Sequence, residues 1–177
     1  LNLADHIKDL IEIGVKHLKV EGRMRGTYYI ATVISCYRNL IDAYYNNNWT
    51  EDNLNRNLKL LSRVANREST SQYFEKEANY KDQYYMDRME ISNQDFLGII
   101  LDYDENTKYA TIEQRNYFKV GDKVNIFGPN KIDFDFEVQE ILNEKNEKID
   151  VARHPKEILK IKIPHKVVKD SMIRVQI

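Results

Sequence analysis

The sequence predicts an α+β chain: a helix–strand–helix–helix piece, then a linker, then a small antiparallel β-barrel. Three observations carry this. Residues 17–42 pair a short alternating run with a long amphipathic pattern, residues 51–65 repeat leucine at helical spacing, and from Ile91 onward short apolar runs alternate with turn residues. The expected domains are 1–65, a linker at 66–90, and 91–177.

The first element spans residues 2–14, where Leu3, Ile7, Leu10 and Ile11 share a face. Asn2 is suited to cap its start and Gly14 to end it in the left-handed conformation. Val15 to Val20 then reads as a strand, and Glu21-Gly22-Arg23 as a sharp break. Ile30, Val33, Ile34, Tyr37, Leu40, Ile41 and Tyr44 recur at helical spacing. After the polar break NNNWT, Thr50 is an N-cap, Glu51 and Asp52 complement the helix dipole, and Leu54, Leu58, Leu61 and Ala65 form the apolar stripe. A single strand with its helices cannot bury both of its faces, so this piece implies further structure beyond it.

Residues 66–90 show no clean period and mix charge with tyrosine, which reads as a linker or covering segment. In the second half, Phe96 to Leu101 suits a buried strand, Glu105-Asn106-Thr107 is a turn, and Tyr109 to Glu113 returns. Gly121-Asp122 precedes Val124 and Ile126, and Gly128-Pro129-Asn130 turns into the alternating run Ile132 to Val138. Further alternation appears at Ile149 and Val151, at Leu159 to Ile163, and at Ile173 to Ile177. Six or seven short strands at regular spacing imply a small barrel or sandwich.

The chain has 177 residues, 42% of them hydrophobic, with 27 Lys and Arg against 28 Asp and Glu. The balance holds in both parts, 13 against 13 in residues 1–90 and 14 against 15 in residues 91–177. Neither part has the basic surplus of a stand-alone nucleic-acid binder, so affinity for RNA would need spatial segregation of charge. Arg115, Lys119, Arg153 and Lys156 on one face would favour RNA; an uncharged apolar groove would favour a polypeptide. The single cysteine excludes an internal disulfide and points to the cytoplasm. No run reaches transmembrane length and no metal-ligand spacing occurs among the four histidines, so no membrane and no metal are expected.

The candidate site is the charged turn after the first strand, because βα units place ligands beyond the carboxyl ends of their strands. Glu21 and Arg23 are the catalytic candidates, with Lys19 and Arg25 as ligand-binding candidates. A carboxylate beside two guanidinium groups binds an anion, or it braces the turn by ion pairing. In the β half, Arg115 and Arg153 are ligand-binding candidates on polar loops, Gln114-Arg115-Asn116 and Arg153-His154-Pro155. The competing reading of these loops is plain turn chemistry. Tyr117 and Phe118 keep the binding reading open, since aromatic and guanidinium faces both stack on bases. Cys36 reads as a buried thiol.

The stretch LKVEGRM, with Tyr28-Tyr29 and YRNLIDAY after it, resembles a segment of peptidase family U32, which includes collagenase-like proteases and bacterial tRNA uridine hydroxylation proteins. Arg25-Gly26 departs from the usual Lys-Ser. IEQRNYFKVGDKVNIFGP, FEVQEI and VARHPKEILKIKIP resemble the family's C-terminal β-barrel, whereas residues 66–74 match more loosely, with Ser69 and Gln72 departing. The resemblance implies the terminal βαα piece of a TIM-like barrel domain, in the C-terminal portion of a longer protein whose cluster-binding or catalytic cysteines lie upstream. It further implies that the parent hydroxylates a tRNA wobble uridine with an iron–sulfur centre and prephenate as donor, the barrel positioning tRNA or a paralogue subunit. The alternative it leaves is a peptidase whose barrel binds protein substrate. The piece taken alone is then a binding or assembly module without a cofactor of its own, and it covers its cut apolar surface by self-association or by docking its own linker and barrel.

Overall fold

A computed structural model describes residues 1–65, 69–71, 73–77, 79–80 and 94–177. The expectations for Asn66 to Glu68, Gln72, Tyr84 and Tyr85, and for a barrel starting at Ile91, lie outside the described residues. The chain divides into two compact units, Leu1–Asn93 and Gln94–Ile177.

The first unit is helical. A 3-10 turn at Ala4–His6 runs into α1 (Ile7–Glu12), followed by α2 (Thr27–Tyr45) and α3 (Glu51–Val64). Asn2 caps as expected, its carboxamide oxygen accepting the Ala4 N–H, and it also accepts the Tyr37 hydroxyl at 2.9 Å. That hydroxyl in turn accepts the Leu3 N–H, and burial raises its pKa. The first turn is thereby bolted to the middle of α2. Helix α1 ends in a Schellman motif: Gly14 takes φ +86, the Val15 N–H reaches the Leu10 carbonyl, and the Gly14 N–H reaches that of Ile11. Asn47, at φ 54, closes α2 in the same way through Asn48 and Ala43. Thr50 caps α3 by accepting the Asn53 N–H.

The buried stripe of α2 is Thr32, Val33, Cys36, Leu40 and Ala43. It is rotated from the expected one, and Ile34 stays 50% exposed, because the helix is apolar over a broad arc and its neighbours α1 and α3 select the part that is covered. Described residues of the segment after α3 turn back to the first turn, with the Asn2 N–H on the Thr70 carbonyl and His6 between Asp9 and Glu75, against Phe74.

One element differs from expectation. Val15 to Val20 is not a strand, and it has no sheet pairing among the described residues. A strand exists only through its ladder partners, and without them the alternating pattern has nothing to bury against. Val15 and Leu18 are accordingly exposed, and Met24 is 91% exposed.

The second unit holds ten strands among the described residues: β1 (Phe96–Asp104), β2 (Tyr109–Gln114), β3 (Phe118–Lys119), β4 (Lys123–Gly128), β5 (Ile132–Glu137), β6 (Ile141–Leu142), β7 (Lys148–Ile149), β8 (Val151–Ala152), β9 (Ile158–Lys162) and β10 (Met172–Val175). Eight form an antiparallel sheet in the order β5-β4-β10-β1-β2-β9-β6-β7, and β3 pairs with β8 as a separate ribbon. Every strand contributes to one apolar core, including Ile100, Ile112, Phe118, Ile126, Ala152, Ile161 and Ile173. The sheet therefore wraps around its own interior, with the ribbon as part of the wall. The two-residue strands β3 and β6 escape a sequence reading, since two residues show no alternation. The Ile149/Val151 run is split between the sheet and the ribbon.

Turn chemistry fixes the hairpins. The Asp104 carboxylate accepts the Thr107 hydroxyl and the N–H groups of Asn106 and Thr107, which hold its pKa below the ordinary range. At Gly128 the reason for glycine is proximity: a Cβ there would lie 2.6 Å from the Ser171 hydroxyl and 2.8 Å from its Cα. Backbone atoms of Ser171 cannot yield without moving β10. Gly128→Ala is expected to lower stability by about 1–3 kcal/mol in urea unfolding followed by circular dichroism. A cost under about 0.5 kcal/mol would show that β4 and β10 do not approach as described.

Candidate functional site

Glu21, Arg23 and Arg25 occupy the turn before α2, and all three are exposed. The Glu21 carboxylate accepts the backbone N–H of Arg23 at 3.2 Å, so it braces the turn through the main chain. The Arg25 guanidinium lies 5.2 Å from the centre of the Tyr29 ring. Lys19 is exposed on the unpaired segment. Lys16, Lys19, Arg23 and Arg25 thus stand beside one carboxylate, Glu21, on an accessible stretch. The structure brings Glu21 and Arg23 together at the backbone and leaves the arginine head groups apart from it.

The β-unit candidates converge. The segments 114–119 and 151–157 are tied by backbone hydrogen bonds, from the Gln114 N–H to the Glu157 carbonyl and from the Lys156 N–H to the Gln114 carbonyl. The ribbon adds the pairs Phe118–Ala152 and Lys119–Val151. Tyr117 and Arg153 immediately flank the end pair of that ladder, Phe118–Ala152. Phe118 and Ala152 point into the core, whereas Tyr117, Lys119 and Arg153 point out. Tyr117 is 52% exposed.

Sequence reasoning grouped these polar residues as loops, and the structure separates their roles. Gln114 is buried and donates to the Asn116 carbonyl, and Asn116 donates to the Phe96 carbonyl, so these two are turn chemistry. Arg115 pairs with Glu113 at 2.6 Å and lies 5.8 Å from the centre of the Phe96 ring. Arg153, His154 and Lys156 are exposed, and no ion pair holds Arg153 or Lys156 among the described residues.

A polar network went unread in the sequence. Buried Arg174 donates through Nε to the Asn125 carboxamide oxygen at 2.7 Å and lies 4.1 Å from the centre of the Phe127 ring. The Asn125 amide donates to Asp133 and Asp135, and Gln176 donates to Asp135. Its signal was available: Asn125, Asp133, Asp135 and Arg174 all fall on the core-averse parity of their strands. The amide joins a cation to two carboxylates without placing like charges in contact. Its geometry joins β5, β4 and β10 through side chains.

The arrangement is that of an α-helical unit followed by a β-barrel unit. The profile of "Peptidase family U32" matches residues 1–84, and that of "Peptidase family U32 C-terminal domain" matches residues 92–174. The chain belongs to peptidase family U32. It is 38% identical to tRNA hydroxylation protein P1 of Bacillus subtilis, over 98% of this chain and 41% of that protein. A collagenase of Porphyromonas gingivalis is 28% identical over 73% of this chain and 36% of its own length. A crystal structure of the C-terminal domain of a Geobacillus thermoleovorans putative U32 peptidase shares 37% identity, covering 47% of this chain and 93% of that one, with a TM-score of 0.46. The chain thus spans about two fifths of the length of its Bacillus relative. No described helix is long and apolar enough to cross a membrane.

Asn125→Ala removes the amide that joins Arg174 to Asp133 and Asp135. It is expected to cost about 2–4 kcal/mol in urea unfolding, well above the ~1 kcal/mol of an ordinary side-chain hydrogen bond. A loss below about 1 kcal/mol would mean that the network contributes no more than an ordinary pair.

Proposed function

We propose that this chain is the C-terminal binding region of a cytoplasmic protein that takes part in the 5-hydroxylation of tRNA wobble uridine. The observation that carries the reading is the 38% identity to a tRNA hydroxylation protein over 98% of the chain. The peptidase reading rests on lower identity over a smaller share, 28% over 73%.

The chain's own role in this reaction is to bind and orient RNA. An iron–sulfur cluster needs a set of thiolates, and the only cysteine here, Cys36, is buried in α2. The residues present do not fit such a cluster. The exposed turn at Glu21, Arg23 and Arg25, with Lys19 beside it, supplies charge for an anionic group.

The test is nucleoside mass spectrometry of total tRNA from cells lacking the full-length protein and its paralogues. Complementation with the intact protein is expected to restore 5-hydroxyuridine derivatives, and complementation with Glu21→Ala/Arg23→Ala to leave them reduced at least tenfold. Unchanged modification on deletion would overturn the tRNA reading and favour the peptidase one.

A further inference from the structure

We infer that the outward face of the β3–β8 ribbon, with Tyr117 at its centre and Lys119, Arg153 and Lys156 around it, is a binding site for single-stranded RNA. The choice of RNA as the polyanion rests on the tRNA reading above; the location of the site rests on geometry.

Four observations place it there. Within residues 114–119 and 151–157, four cationic side chains stand beside one carboxylate, Glu157, in a chain of net charge −1; at the margin Glu113 pairs Arg115 and the Asp122 carboxylate accepts the Lys119 backbone N–H. Arg153 and Lys156 have no ion-pair partner among the described residues, so their charge is available to phosphate. Tyr117 presents an aromatic ring that is 52% exposed, and it and Arg153 both flank the Phe118–Ala152 pair at the end of the ribbon, although burial of Phe118 beside it shows that the core could take an aromatic. The platform is rigid: the Leu97 carbonyl accepts the N–H groups of Arg115 and Asn116, and the Asn116 side chain is fastened to the Phe96 carbonyl.

An aromatic face flanked by cations on adjoining strands is what an unstacked base and its phosphates require. A duplex hides its base faces, which is why the site selects a single-stranded loop or end. Arg115, held by Glu113, frames the site and is not its main phosphate ligand.

The full chain is titrated, by fluorescence anisotropy, into a labelled uridine-rich oligoribonucleotide of ~12 nucleotides, within the span that small barrels cover. Tyr117→Ala is expected to weaken binding about 5- to 100-fold with little change in salt dependence, and Tyr117→Phe to retain it. Arg153→Gln and Lys156→Gln should each reduce the slope of log K against log salt by about 0.7. Lys145→Gln, on a different hairpin, should change neither. Binding by Tyr117→Ala within twofold of the parent would overturn the site, as would displacement of the RNA by polyglutamate with equal efficiency from the parent and from Tyr117→Ala. If circular dichroism shows that Tyr117→Ala has lost the barrel, the salt slopes of the two cation variants decide. The assay reads binding alone: a positive result beside unchanged tRNA modification would sustain the site and sink the hydroxylation reading, and the reverse pair of results would do the opposite.

Discussion

Strand β1 is paired along both edges, and the second unit depends on how it manages this. It pairs with β10 on one side and β2 on the other, and its register shifts between Phe96 and Gly98 and again between Ile100 and Asp102. Such shifts bend a strand and increase its twist, which is what a sheet needs to wrap around one core. On the β2 side, the Leu97 carbonyl takes the N–H groups of Arg115 and Asn116. The strand at the middle of the sheet is therefore also what anchors the loop carrying Tyr117.

Charge placement explains how a chain of net charge −1 can carry an anion-binding face. Carboxylates elsewhere in the barrel are engaged locally. Asp104 is bound to its own turn, Glu140 is held by Lys148 and Tyr109, and Glu105 by Lys166, and each has a lowered pKa for that reason. Asp133 and Asp135 are committed to Asn125. Internal engagement of these acids leaves Arg153 and Lys156 without an ion-pair partner among the described residues, at the range where the field that a phosphate meets is set.

Much of this was legible in the residues. The long period of α2 and α3, the caps at Asn2, Thr50 and Gly14, and the main strands follow from spacing and turn chemistry, because those are local properties. The 15–20 segment misled, since its alternation describes a strand whose partners the sequence cannot show. The Arg174 network left only the parity of its members as a signal, and the tie between segments 114–119 and 151–157 left none, for the converse reason: they join residues far apart in the chain, and only strand order brings them together. Arg115, Lys119, Arg153 and Lys156 are named together as cations that would favour RNA if they shared a face, which spacing alone does not decide. That Tyr117 and Arg153 flank one end of the ribbon, while Phe118 is buried, depends on a two-residue ladder that no periodicity reveals.

The central claim is that the barrel contributes an RNA-binding face at the β3–β8 ribbon. The most direct measurement is ultraviolet cross-linking of tRNA to the full-length protein, followed by mass spectrometry of the protease-digested adducts. The account predicts a nucleotide adduct on the peptide spanning Asn116 to Lys119, suppressed in Tyr117→Ala and competed by unlabelled tRNA. Adducts confined to other parts of the protein, with that peptide recovered unmodified, would contradict it.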